Sequence, residues 1–138
     1  MKKKLVLSIS VVLLLVMVVV ACVACTPNAD KVEKKFKDKG YDVQVIEVSS
    51  DSEDPITSAY AQMGVTKVIR ASKSEDDYAV ILWFEDSDKL NDAYKEAKAE
   101  FDEWKKAFEE EGEKFNMKLV KKGKAIVQGS SAAVKIVG

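Results

Sequence analysis

The stretch DYAVILWFEDSDKLNDAYKEAKAEFDEWKKAFEE, residues 77 to 110, decides the architecture of this chain. Its opening run, Tyr78 to Phe84, is apolar at every position, so both faces of an extended strand would bury side chains. That predicts a central strand, with Tyr78, Val80, Leu82 and Phe84 on one face and Ala79, Ile81 and Trp83 on the other. Asp86 or Ser87 then offers an N-cap for a helix over about residues 88 to 111. Its apolar residues Leu90, Tyr94, Ala97, Phe101, Trp104 and Phe108 step alternately by four and three, which lines them along one helix side. A coiled-coil partner fits this spacing, but the aromatic weight at its end suits packing on a sheet better, and sheet packing is the expectation.

Upstream, Asp30 with Glu33 reads as a capping box, Val32 and Phe36 pair at i, i+4, and Gly40 is a natural stop, which predicts a first helix over 30 to 39. Tyr41 to Val48 alternates as a strand. Ser49 to Asp54 is polar, and Pro55 to Gly64 reads as an irregular connection tethered by Ile56, Tyr60 and Met63. Val65 to Lys73 and Asp77 to Glu85 form a hairpin about the polar turn Ser74 to Asp76. Downstream, Phe115 to Val120 and Lys124 to Gln128 form a second hairpin, and Gly129 with Ser130 caps a short last helix through Ala133, Val134 and Val137. The order is α-β-β-β-α-β-β-α. This predicts an α+β domain with a mainly antiparallel sheet of about five strands, the long helix on one face and short helices at both ends.

The first residues carry a different signal. Lys2, Lys3 and Lys4 precede an uncharged run from Leu5 to Ala21, the layout of a secretory leader whose lysines stay on the cytoplasmic side. Val19, Val20, Ala21 and Cys22 resemble the lipobox of bacterial lipoproteins, in which the peptide is cut before the cysteine and the thiol is acylated. Cys25 offers a second register, but with Cys22 where the pattern has an aliphatic residue. An uncleaved transmembrane anchor is the bland alternative, since the run is long enough to span a bilayer. On this reading residues 1 to 21 are a signal peptide, 22 to 29 a lipid-anchored linker, and 30 to 138 a single domain on the outer face of a bacterial cytoplasmic membrane. The remainder, from Asp30 to Gly138, resembles a group of small uncharacterised lipoproteins of Gram-positive bacteria. That resemblance is carried by the Lys/Glu-rich helix ending in Gly40-Tyr41-Asp42-Val43, the Ile69 to Lys73 strand, Trp83-Phe84-Glu85 before a charged helix, and the closing Gly129-Ser130 turn. It implies a fold and a location, and no activity.

Removing residues 1 to 21 from 138 leaves 117, enough for one core. The loss of three lysines leaves 19 basic side chains against 23 acids, a net charge of about −4 that disfavours a nucleic-acid partner. Both cysteines lie at the leader junction, so the domain has no disulfide. Histidine is absent, which removes the commonest general base, the His-dependent triads and the ordinary zinc sites.

The remaining clusters have ordinary explanations. Asp51, Glu53 and Asp54, and separately Glu75, Asp76 and Asp77, read as solvated loops, since neither has the glycine or terminal glutamate of an EF-hand. Asp86, Asp88 and Asp92 read as helix-start acids favoured by capping and the helix dipole. No metal, cofactor or catalytic residue is expected. Two surfaces carry functional expectations. The lysines Lys31, Lys34, Lys35, Lys37 and Lys39, set against Glu33 and Asp38, form a basic face suited to anionic headgroups. The strand face Tyr78, Val80, Leu82 and Phe84 is a candidate apolar binding surface where the helices leave it uncovered. The expected activity is that of a non-enzymatic binding or accessory module for a surface or envelope protein. Its alternatives are an Asp/Glu hydrolase acting on the envelope and a self-associating structural lipoprotein.

Overall fold

A computed structural model of the chain describes residues 26 to 137. The leader, Cys22 and Cys25 lie outside them. Nine elements follow one another: α1 (Ala29–Asp38), β1 (Asp42–Glu47), α2 (Pro55–Gln62), β2 (Val65–Ser74), β3 (Asp77–Phe84), α3 (Ser87–Glu110), β4 (Met117–Lys122), β5 (Ala125–Ser130) and α4 (Ser131–Val137). The strands form one antiparallel sheet in the order β1-β2-β3-β5-β4, with β3 at its centre. The α+β class and the five-stranded antiparallel sheet are those expected.

Three local readings change. Asn28, not Asp30, caps α1: its backbone is extended and its side chain accepts the Lys31 N–H, so Asp30 falls inside the first turn. Pro55 to Gln62 is a helix, not an irregular connection. Asp54 caps it, accepting the Thr57 N–H at 3.2 Å and the Thr57 hydroxyl at 2.8 Å, and Pro55 supplies the fixed φ suited to a first turn. β4 and β5 each begin one to two residues later than the pattern suggested.

The two sides of the sheet have separate cores. Ile69, Ala71, Ala79, Ile81, Trp83 and Val127 face α1 and α4, and pack with Val32, Phe36 and Val134. Val68, Phe84 and Ile126 on the opposite side pack with Leu90 of α3, and half-buried Val80, Leu82 and Tyr60 complete that layer. Thus the short terminal helices cover the centre of one face, leaving Val45 of the edge strand β1 exposed, while α2 and α3 share the other.

A latch joins the start of β1, the start of β3 and the end of β5. Asp77, at the start of β3, accepts the Tyr41 hydroxyl at 2.6 Å and the Ser130 hydroxyl at 2.9 Å. Ser130 in turn accepts the Ala133 N–H at the start of α4, as the Gly-Ser cap reading anticipates. Burial pushes the Tyr41 phenol up to about 12, with the Asp77 hydrogen bond and charge adding to it.

Candidate functional site

An α-helix of α3's 24 residues is roughly 36 Å long, whereas the six residues of β4, along which it lies, extend only about 20 Å. The first half of α3 is therefore held and the second overhangs. Leu90 is buried, Asn91 accepts from Lys121 Nζ, and Lys121 also sits 5.3 Å above the Tyr94 ring. Further along, Phe101 meets Phe115 edge to face with ring centres 5.0 Å apart, and Phe108 lies 5.4 Å from the same ring. Trp104 is 51 % exposed and Phe108 40 % exposed. The expectation that the whole aromatic seam packs on the sheet therefore holds only for its first half; past Phe101 the strand has run out.

Beneath this overhang is an open concavity of about 450 Å³, lined by Tyr78, Phe108, Phe115 and Met117 with Glu75, Asp76 and Lys114 at its rim. The Tyr78 hydroxyl reaches the Met117 sulfur at 3.5 Å. A second concavity of about 360 Å³ shares Phe115 and Met117 and follows the free edge of β4 past Lys118 and Leu119. Aromatic and methionine side chains grouped in partly desolvated concave surfaces are what interface centres use.

The strand face named from sequence is divided by this arrangement. Phe84 is buried beneath Leu90 and is not available as a surface; Val80 and Leu82 are half-buried; only Tyr78 lines the concavity. The alternative face, Ala79, Ile81 and Trp83, is buried under α1 and α4. Nothing local in the sequence singles out Phe115, and the seam periodicity places Trp104 and Phe108 against the sheet. The usable signal was the length mismatch between a 24-residue helix and six-residue strands.

The lysines Lys31, Lys34, Lys35, Lys37 and Lys39 are all exposed along α1, with Lys37 paired to Glu33 at 2.7 Å. They run lengthwise from the Pro27 end of the sheet to the opposite end, where Lys73 Nζ donates to the Lys39 carbonyl. The acidic clusters resolve into capping and solvent exposure. Asp54 and Asp86 cap α2 and α3, Asp51, Glu53, Glu75 and Asp76 are exposed, and Asp77 turns inward to the latch. Hydrogen bonds from Thr57 hold the Asp54 carboxyl below the usual carboxylate range. Among the described residues no group of three or more His, Cys, Asp or Glu is placed to hold a metal ion, and no helix is long and apolar enough to cross a membrane.

Fold and surface together define a small α+β domain with helices on both sheet faces and an exposed aromatic end. Set against protein-family models, curated proteins and solved structures, the chain has no significant match.

Proposed function

We propose that this protein is a non-enzymatic surface lipoprotein, acylated at Cys22 and held on the outer face of a bacterial cytoplasmic membrane, that docks a protein partner through the aromatic end of α3. The observation that carries the binding reading is Trp104, half exposed one helical turn before Phe108, whose ring packs on Phe115 in the lining of the aromatic concavity. Tryptophan is enriched among the few residues that dominate association energies, and folding does not bury this one. The partner is a protein with an apolar projection bordered by both charge signs, because the rim sets Glu75 and Asp76 against Lys114. The anchor reading rests on the lysine-led apolar leader and the Val19-Val20-Ala21-Cys22 sequence. Diacylglycerol with an amide-linked chain would supply the two hydrophobic signals that stable anchoring needs.

The test is photo-crosslinking in living cells, with the reactive group placed at exposed Lys105, next to Trp104, or, as control, at Lys35. A heterologous protein crosslinked from position 105, absent from position 35 and lost on Phe108→Ala, supports the reading. A crosslink only to a second copy replaces it with self-association through the exposed helix seam. No crosslink at either position overturns it.

A further inference from the structure

The described chain begins at a strapped position, not in free solution. Thr26 Oγ1 accepts the Lys124 backbone N–H at 3.0 Å in the β4–β5 turn. Pro27 accepts the Trp83 indole N–H at 2.8 Å. The approach is close enough that a Cβ on Gly123 would lie 2.7 Å from the Thr26 backbone nitrogen. Two bonds and this contact therefore set where the preceding residues leave the domain: at the end of the sheet that carries the β4–β5 turn.

That end is continuous across the sheet. The Phe84 N–H donates to Lys124 and the Glu85 N–H to Gly64, so the β4–β5 turn, the start of α3 and the end of α2 are neighbours there. Ile56 and Met63, seven residues apart and so on one side of α2 and its cap, are 57 % and 43 % exposed. Lys124 stands in the turn itself, and half-buried Lys122 ends β4 beside it. Trp104 and Phe108 project from the opposite end, about 30 Å along α3 from its start.

Resting on the acylated Cys22 proposed above, we infer that the domain stands on the bilayer through this end, with Lys122, Lys124 and Met63 against the lipid headgroups. The four residues from Cys22 to Thr26 span at most about 14 Å when fully extended, and acylation at Cys25 instead would shorten that to about 4 Å. Either register keeps the β4–β5 turn within reach of the headgroups. The turn lysines each favour an anionic surface by about fivefold, Glu85, Asp86 and Asp88 at the start of α3 oppose it, and the short tether at Thr26 therefore sets which end faces the bilayer. The basic face of α1 then runs upright from the membrane, touching it only near Lys31, and the aromatic end of α3 is presented outward to other proteins.

The experiment uses the full acylated protein, with Cys25→Ser, in vesicles containing phosphatidylglycerol. Single cysteines at Lys122, Lys35 and Trp104 carry a fluorophore, and the quencher is borne on the lipid headgroups. Strong quenching at 122, weaker at 35 and none at 104 is expected, with quenching at 122 falling severalfold on Lys124→Glu. Quenching at 35 equal to or above that at 122 means the domain lies on α1, and overturns the inference. Intact mass of the same preparation reports the anchor separately. An acylated mass with the wrong quenching order overturns the orientation alone, and an unmodified mass overturns the anchor reading and the orientation with it.

Discussion

Replacing Asp77 with alanine removes the acceptor shared by two buried hydroxyls. Tyr41 is 7 % exposed and Ser130 3 %, so neither finds bulk water when its partner goes. Ser130 keeps a second acceptor, the Tyr78 carbonyl at 3.4 Å, whereas Tyr41 has only Asp77 among the described residues. Most of the loss therefore falls on the Tyr41 arm. A hydrogen bond to a charged group contributes about 1.5–3 kcal/mol net, so Asp77→Ala should cost about 3–4 kcal/mol and Tyr41→Phe about 2 kcal/mol. Because the two effects share one bond, the double mutant should show a coupling of about 1.5–3 kcal/mol. The latch also has a pH signature. The Tyr41 phenol rises from 10.0 to about 12, so the native state keeps a proton that the unfolded chain releases. Its contribution is fully present below pH 10, falls above it, and is lost as the pH rises through the folded value. Two pH units correspond to roughly 2–3 kcal/mol. Urea denaturation at a series of pH values, for wild type and Tyr41→Phe, separates this loss from lysine titration common to both. Parallel stability curves above about pH 10, or a coupling below about 0.5 kcal/mol, would refute the assignment.

Other substitutions test the packing. A Cβ at Gly129 would fall on the Tyr78 carbonyl oxygen and 2.7 Å from Ala79 Cα, both backbone atoms of the adjacent strand, so Gly129→Ala should lower the urea midpoint by the equivalent of about 2–3 kcal/mol. Trp83→Phe deletes the bond to Pro27 and leaves unfilled volume in the core, and should cost about 1–3 kcal/mol and raise amide exchange in the first turn of α1. Leu90→Ala should cost about 2–5 kcal/mol. Trp104→Ala should cost about 1 kcal/mol or less in the same assay while abolishing the crosslinked complex.

How far the sequence carried the fold depended on how local each signal was. The β3 run from Tyr78 to Phe84 contained its own evidence, since continuous apolarity needs cover on both faces and both faces are covered. The cap at Asp86 and the turn at Gly40, whose φ is +84°, were equally local. The α2 helix is not legible because Asp54 and Pro55 suit a loop as well as a cap and first turn; with no charge in its eight residues it lacks the polar face that normally marks a surface helix. The candidate site was less legible. Whether Trp104 belongs to the core depends on where β4 ends relative to α3, a relation between elements far apart in sequence that periodicity does not encode.

The same relation bears on what α3 is for. The seam repeats at four and three from Leu90 through Phe108, but Leu90 is the one residue of the helix that the fold buries. A helix required only to cover the sheet could stop near Phe101, where the Phe115 contact closes the layer. The residues beyond it keep apolar side chains at the positions in register, Trp104 and Phe108, on an otherwise charged helix. Exposed aromatics on such a projection raise the hazard of nonspecific association and add little to folding stability. A covering partner removes that hazard and makes use of the register. If Trp104→Ser and Phe108→Ser together leave the urea midpoint unchanged and also leave every crosslink intact, the extension serves neither folding nor binding, and the reading of α3 as a recognition arm fails.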